Sequence, residues 1–164
     1  YRTRHVYMRR KTRVRSHCRK VKGRKVTVKS HYRSVVSHVR SIKDQYGIGR
    51  KVDVRFEKAE QSDSLAHAET QMKKVPGGYM PKRHILRIDP AKIAASGESL
   101  RKIVAHEMGH VVDIETLAKK RPLKKPTEAY STTEEGRNMM KRKGAYSKRR
   151  SSKENFGHYF QNKH

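Results

Sequence analysis

No aspartate or glutamate occurs before Asp44, although residues 1–43 hold 16 lysines and arginines. Such a tract repels itself, and its bulky apolar residues are too few to offset the entropy of ordering it. Residues 1–31 are therefore expected to form a largely extended basic arm, leaving residues 32–164 to fold. Of the formal charge of +27, the first 43 residues carry 16, and the remainder carries 26 basic against 15 acidic residues, or +11. An arm of this kind calls for a polyanion, so DNA or RNA is the expected partner, held through phosphates without sequence reading. Arg9, Arg10, Lys11, Arg13, Arg15, Arg19, Lys20, Arg24 and Lys25 are the expected contacts. The tract also repeats a loose S-H-x-R pattern at Ser16–Arg19, Ser30–Arg33 and Ser37–Arg40, which composition bias explains as well as function does.

Cys18 is the only cysteine, which excludes a disulfide framework and a cysteine-based zinc site within the chain. The sequence has neither an apolar stretch of membrane-spanning length nor the apolar core of a signal peptide near Tyr1, so neither membrane insertion nor secretion by such a signal is expected.

Periodicity places the elements. Val35, Val36, Val39 and Ile42 form a helical stripe that stops at Gly47, and Val52, Val54 and Phe56 then alternate with charged residues as a half-buried strand. Residues 62–72 read as a second strand before the Pro76-Gly77-Gly78 turn, and His84–Ile88 as a third, stopped at Asp89-Pro90. The stretch 120–145 reads as surface loop, and a helix from about Ser152 to Gln161 closes the chain.

Between them, Leu100, Ile103, Val104, Val111, Ile114 and Leu117 recur at helical spacing from about Glu98 to Lys119, with Ser96 as the expected N-cap. This helix carries His106-Glu107-Met108-Gly109-His110, the H-E-x-x-H pattern. Positions i and i+4 share a helix face, so both imidazoles reach one zinc ion, and Glu107 lies between them to take a proton from the attacking water. Gly109 is costly inside a helix, which predicts that another backbone passes close by. Catalytic zinc needs a third protein ligand. Asp113, on the same helix, is expected to orient a ring N–H of a ligating histidine or to serve as an alternative ligand. Glu154 begins a segment whose Phe156 and Phe160 share a face and would anchor it on the core.

His106–Asp113, followed some forty residues later by a Tyr and then Glu-x-Phe-x-x-x-Phe, resembles the catalytic domain of anthrax lethal-factor-type zincins and the small zincin-like domains of phage virion proteins. The resemblance covers roughly residues 84–160 and implies an α+β minimal zincin-like domain: a helix, a three-stranded sheet, the H-E-x-x-H helix and a C-terminal helix. It implies Zn2+ on His106, His110 and Glu154, Glu107 as general base, and Tyr146 stabilising the oxyanion. The second acidic residue usual in the last helix is His158 here. The function implied is a zinc metallopeptidase with a peptide or protein substrate, part of a larger assembly such as a virion, in the virion interior or host cytoplasm. The alternatives are a non-catalytic virion or nucleoprotein component that uses the fold as scaffold, and, from charge alone, a ribosomal-type RNA-binding protein.

Overall fold

The structure, a computed structural model, describes residues 18–21, 24–59 and 64–164, with side chains from His31 onward. Arg9, Arg10, Lys11, Arg13 and Arg15 lie outside the described residues.

Two short antiparallel strands, β1 (Cys18–Val21) and β2 (Arg24–Thr27), pair Cys18 with Thr27 through Val21 with Arg24 and run directly into α1 (Val28–Tyr46). The segment expected to remain an extended arm to residue 31 thus contains a hairpin bearing Arg19, Lys20, Arg24 and Lys25, and the folded part begins before Tyr32. The β-branched residues Val21, Val26 and Thr27 favour this pairing. Helix α1 buries Val35, Val39 and Ile42 and ends at Gly47, whose φ of 62° is the left-handed conformation of a helix stop.

Strands β3 (Val52–Phe56), β4 (Ala66–Val75) and β5 (Gly78–Ile88) form a mixed sheet in the order β3-β5-β4. β5 runs parallel to β3 and antiparallel to β4. His84–Ile88 is therefore central, and β3 and β4 are the edges, each with its far side unpaired within the sheet. Burial of Ile85, Leu86 and Ile88 fits a strand flanked on both sides.

Asp89-Pro90 does not merely stop a strand. Asp89 accepts hydrogen bonds from the backbone of Ala91 and Lys92 and starts α2 (Pro90–Ser96), with proline in the first turn where its missing N–H is harmless. Ser96 closes that helix, and the N-cap of α3 (Leu100–Ala118) is Ser99, which accepts from Lys102 N–H. The stretch 120–145 likewise holds a 3-10 turn, Tyr130–Thr132, and α4 (Glu134–Arg142). Thr133 caps α4, with Glu134 and Glu135 in its first turn and Lys141 and Arg142 in its last, which complements the helix dipole. Helix α5 (Ser152–Lys163) begins at the cap Ser151.

The protein is thus α+β. Val54, Phe56, Leu86 and Ile88 of the sheet share one core with Ile103, Val104, Met108, Val111 and Val112 of α3, Met140 of α4, and Phe156 and Phe160 of α5. No helix among the described residues is long and apolar enough to cross a membrane.

Candidate metal centre

Two glycines set the distance between α3 and α5. A Cβ on Gly109 would lie 2.9 Å from Phe160 Cβ and 3.3 Å from Gly157 Cα, so the backbone expected near Gly109 is that of α5. A Cβ on Gly157 would fall 2.8 Å from His106 Cε1 and Nε2. The absence of both side chains lets the two helices approach until the His106 ring rests on α5. Phe160, packed on Phe156 and Tyr46, holds α5 there.

At this crossing the Glu154 carboxylate faces both imidazoles. Its Oε2 lies 3.2 Å from His106 Nε2 and its Oε1 lies 3.1 Å from His110 Nε2, with the side chains 14% (His106), 19% (His110) and 49% (Glu154) exposed. Nδ1 of His106 is 3.2 Å from Gln161 Oε1, so the ring donates there and presents the Nε2 lone pair to the cluster. His158, one turn beyond Glu154 on α5, stands edge-on to His106 with ring centroids 4.9 Å apart. Donor atoms of His106, Glu154 and His158 all lie within 4.8 Å of one another, as do those of His106, Glu107 and His110.

Three groups at the crossing, His110, Glu107 and His158, are pushed towards neutrality. Burial, then the neighbouring His106, lowers His110 to about 4, although Glu154 pulls the other way. Burial raises the Glu107 carboxyl to about 8, opposed by a hydrogen bond from the Ala68 backbone of β4 and reinforced by the charge of Glu154. His158 is lowered, first by burial and then by Arg150 and His106. Neutral imidazoles with converging lone pairs beside carboxylates are the donor set that a borderline dication such as zinc accepts. A dication would also favour the ionised form of Glu107.

The other expected site residues lie elsewhere. Asp113 is buried against the Tyr130–Thr132 turn, where its carboxylate accepts Ser131 N–H at 2.7 Å and Ser131 Oγ–H at 2.5 Å. Those bonds employ both oxygens in fastening the turn, so the structure gives Asp113 neither of the places expected for it at the histidines. Tyr146 is 37% exposed, with its ring 5.0 Å from Lys141 Nζ. Gln161 and the ligand-type placement of His158 were not expected, although Glu154, His158 and Gln161 follow one another at spacings of four and three, the helical signal for one face. Comparison of the chain with protein-family models, curated proteins and solved structures finds no match.

Proposed function

We propose that the protein is a zinc-dependent peptide hydrolase of the zincin type, with a nucleic-acid-binding basic N-terminal segment. The observation that carries this reading is the single Glu154 carboxylate addressing His106 Nε2 and His110 Nε2 with its two oxygens. His106, His110 and Glu154 would hold the ion. When bound, zinc supplies Lewis acidity that activates water and polarises a carbonyl. Glu107 accepts the proton of the attacking water and delivers it to the leaving amine. Gln161 keeps His106 in the tautomer that offers Nε2. The free side of β4, which reaches Glu107 through Ala68, gives an extended peptide a main-chain pairing surface beside the cluster. The hairpin and the basic residues around it would contact DNA or RNA through phosphate, consistent with a place inside a larger nucleoprotein assembly such as a virion, in its interior or in the host cytoplasm.

One observation favours a second reading. His158 adds a fourth donor beside His106 and Glu154, and four protein ligands would close the coordination sphere as in a structural zinc site. The fold would then be a scaffold for assembly. Equilibrium dialysis should give about one zinc per chain, as one three-ligand site requires, and His106→Ala or His110→Ala should bind none. Glu107→Gln should keep the metal and lose hydrolysis by roughly 10²–10⁴-fold. Equal zinc uptake by wild type and His106→Ala would overturn the site. Unchanged hydrolysis in Glu107→Gln would overturn its catalytic role.

A further inference from the structure

Three arginines on or beside the sheet have acidic partners close at hand: Arg83 has Asp53, Arg87 has Glu57 and Glu69, and Arg50 has Glu115. The connection from α4 to α5 differs. Between Glu135 and Glu154 the sequence has eight lysines and arginines and no acidic residue. Lys141, Arg142, Lys143, Lys148, Arg149 and Arg150 are all exposed, and none forms an ion pair among the described residues.

Half of this cluster is built into the metal centre's frame. Asn155, fully buried, accepts Ser147 N–H at 3.2 Å and donates Nδ2–H to Ser147 O at 3.0 Å. The turn then closes on itself, with Arg150 N–H donating to Ser147 O and Arg149 N–H to Ser147 Oγ, each at 3.3 Å. Asn155 directly follows Glu154, so the turn that carries Lys148, Arg149 and Arg150 is fastened to the first turn of α5, the turn on which Glu154 stands. The charge of Arg150 is felt at His158, and that of Lys153 at His110. From α3, exposed Arg101 and Lys102 stand about one turn ahead of His106.

We propose that the polypeptide drawn to His106, His110 and Glu154 is acidic, with aspartate or glutamate side chains near the scissile bond docking on Lys148, Arg149 and Arg150. This rests on the reading of the cluster as a peptide hydrolase. A polymer held by this turn is led to Glu107 and to the free side of β4, which serve carbonyl chemistry and main-chain pairing. Those features favour a peptide over a nucleic acid. Unpaired cations fixed at the rim of a site raise the local concentration of an oppositely charged substrate and reject a basic one.

Zinc-loaded full-length Glu107→Gln protein, titrated into a fluorescein-labelled twelve-residue Asp/Glu-rich peptide, provides the test by anisotropy. Adding Lys148→Glu, Arg149→Glu and Arg150→Glu should weaken peptide binding by about ten-fold or more, as reversal of docked rim charges does. The same reversal at Lys82, Lys124 and Lys125, exposed on β5 and on the loop after α3, controls for net charge and should cost only about two-fold. A labelled single-stranded DNA should bind the turn variant within about two-fold of its parent. The proposal is overturned if the turn and control variants lose peptide equally. It is also overturned if DNA binding falls as far as peptide binding, which would make the turn a nucleic-acid contact. Should the parent hold no zinc, the hydrolase reading fails, while the contrast between the two variants still decides whether this turn takes acidic peptides.

Discussion

Glu115 and His110 stand five residues apart on α3, and each belongs to a meeting of histidine with glutamate. Around Glu115 every partner is accounted for. Its Oε1 lies 2.7 Å from His84 Nε2 and its Oε2 accepts Arg50 Nη1–H at 2.6 Å, while His84 Nδ1 meets Thr70 Oγ1 at 2.8 Å. Arg50 also donates Nε–H to Pro81 O, and the His84 and Glu115 side chains are 0% and 3% exposed. Around His110 the imidazoles and carboxylates converge at a partly open crossing, with the Nε2 atoms of His106 and His110 facing one carboxylate. Residue type does not separate the two clusters. The first has its desolvation cost offset by internal hydrogen bonds, so it fastens β4, β5 and α3 together. The second has polar groups gathered by a helix crossing that needs two glycines, and under the proposed function they are left for an external ion.

The largest expected effect comes from opening the closed cluster. Glu115→Ala leaves Arg50 and His84 without their acceptor, and breaking a buried pair from one side costs about 3–5 kcal/mol. Denaturant unfolding should show that loss, while zinc stoichiometry of the remaining folded protein stays unchanged. Burial alone would raise the Glu115 carboxyl, but His84 and Arg50 outweigh it and hold it below its ordinary value. A depressed folded value contributes stability that is present above the unfolded value near 4.5 and is lost as pH falls through the folded one. Glu115→Gln should therefore flatten the acid side of the stability profile. If Glu115→Ala instead removes zinc from folded protein, the two clusters are not separate devices.

A smaller effect sharpens the open side. Gln161→Ala removes the acceptor for His106 Nδ1–H and no metal donor, so zinc affinity should fall roughly 10- to 100-fold, as for other groups behind a ligating histidine. Apo-protein stability should change little, because Gln161 is partly exposed. Competition with a chromogenic chelator measures the affinity. An unchanged value would mean that the His106 tautomer is set by another group.

What was legible in the sequence follows the range of each interaction. His106, Glu107 and His110 depend only on helical periodicity, and Glu154 on a second amphipathic helix, so local pattern sufficed to propose them. The pairing of Glu115 with His84 depends on which strand occupies the centre of the sheet, and spacing carries no such information. Helix α2 escaped notice because Asp89-Pro90 signals a strand stop and a helix start equally well. Helix α4 escaped because its nine residues are mostly charged and bury only Gly136 and Met140. Asp113 misled because three residues beyond His110 on a helix is nearly the same face. The remaining rotation turns it to Ser131.

Tyr146 supplies the smallest expected effect and the most direct question about the resemblance to lethal-factor-type zincins. Position in the chain assigns it the oxyanion, yet its ring is exposed beside Lys141, on a connection that Asn155 pins at Ser147. Loss of a donor that stabilises an oxyanion lowers kcat by roughly 10²–10³-fold. A surface hydroxyl changes stability by less than about 0.5 kcal/mol and leaves kcat alone. With the side chain where the structure puts it, Tyr146→Phe should leave kcat within about two-fold of wild type, well short of that loss. His158 shares the donor cluster with His106 and Glu154, and under the proposed function it is the candidate donor to a substrate carbonyl in place of Tyr146. His158→Ala should lower kcat more than Tyr146→Phe does, and its zinc content, measured on the same samples, separates loss of a ligand from loss of a donor to substrate. A kcat drop of a hundred-fold in Tyr146→Phe with full zinc occupancy would show that the α4–α5 connection swings Tyr146 over the metal when a peptide is bound.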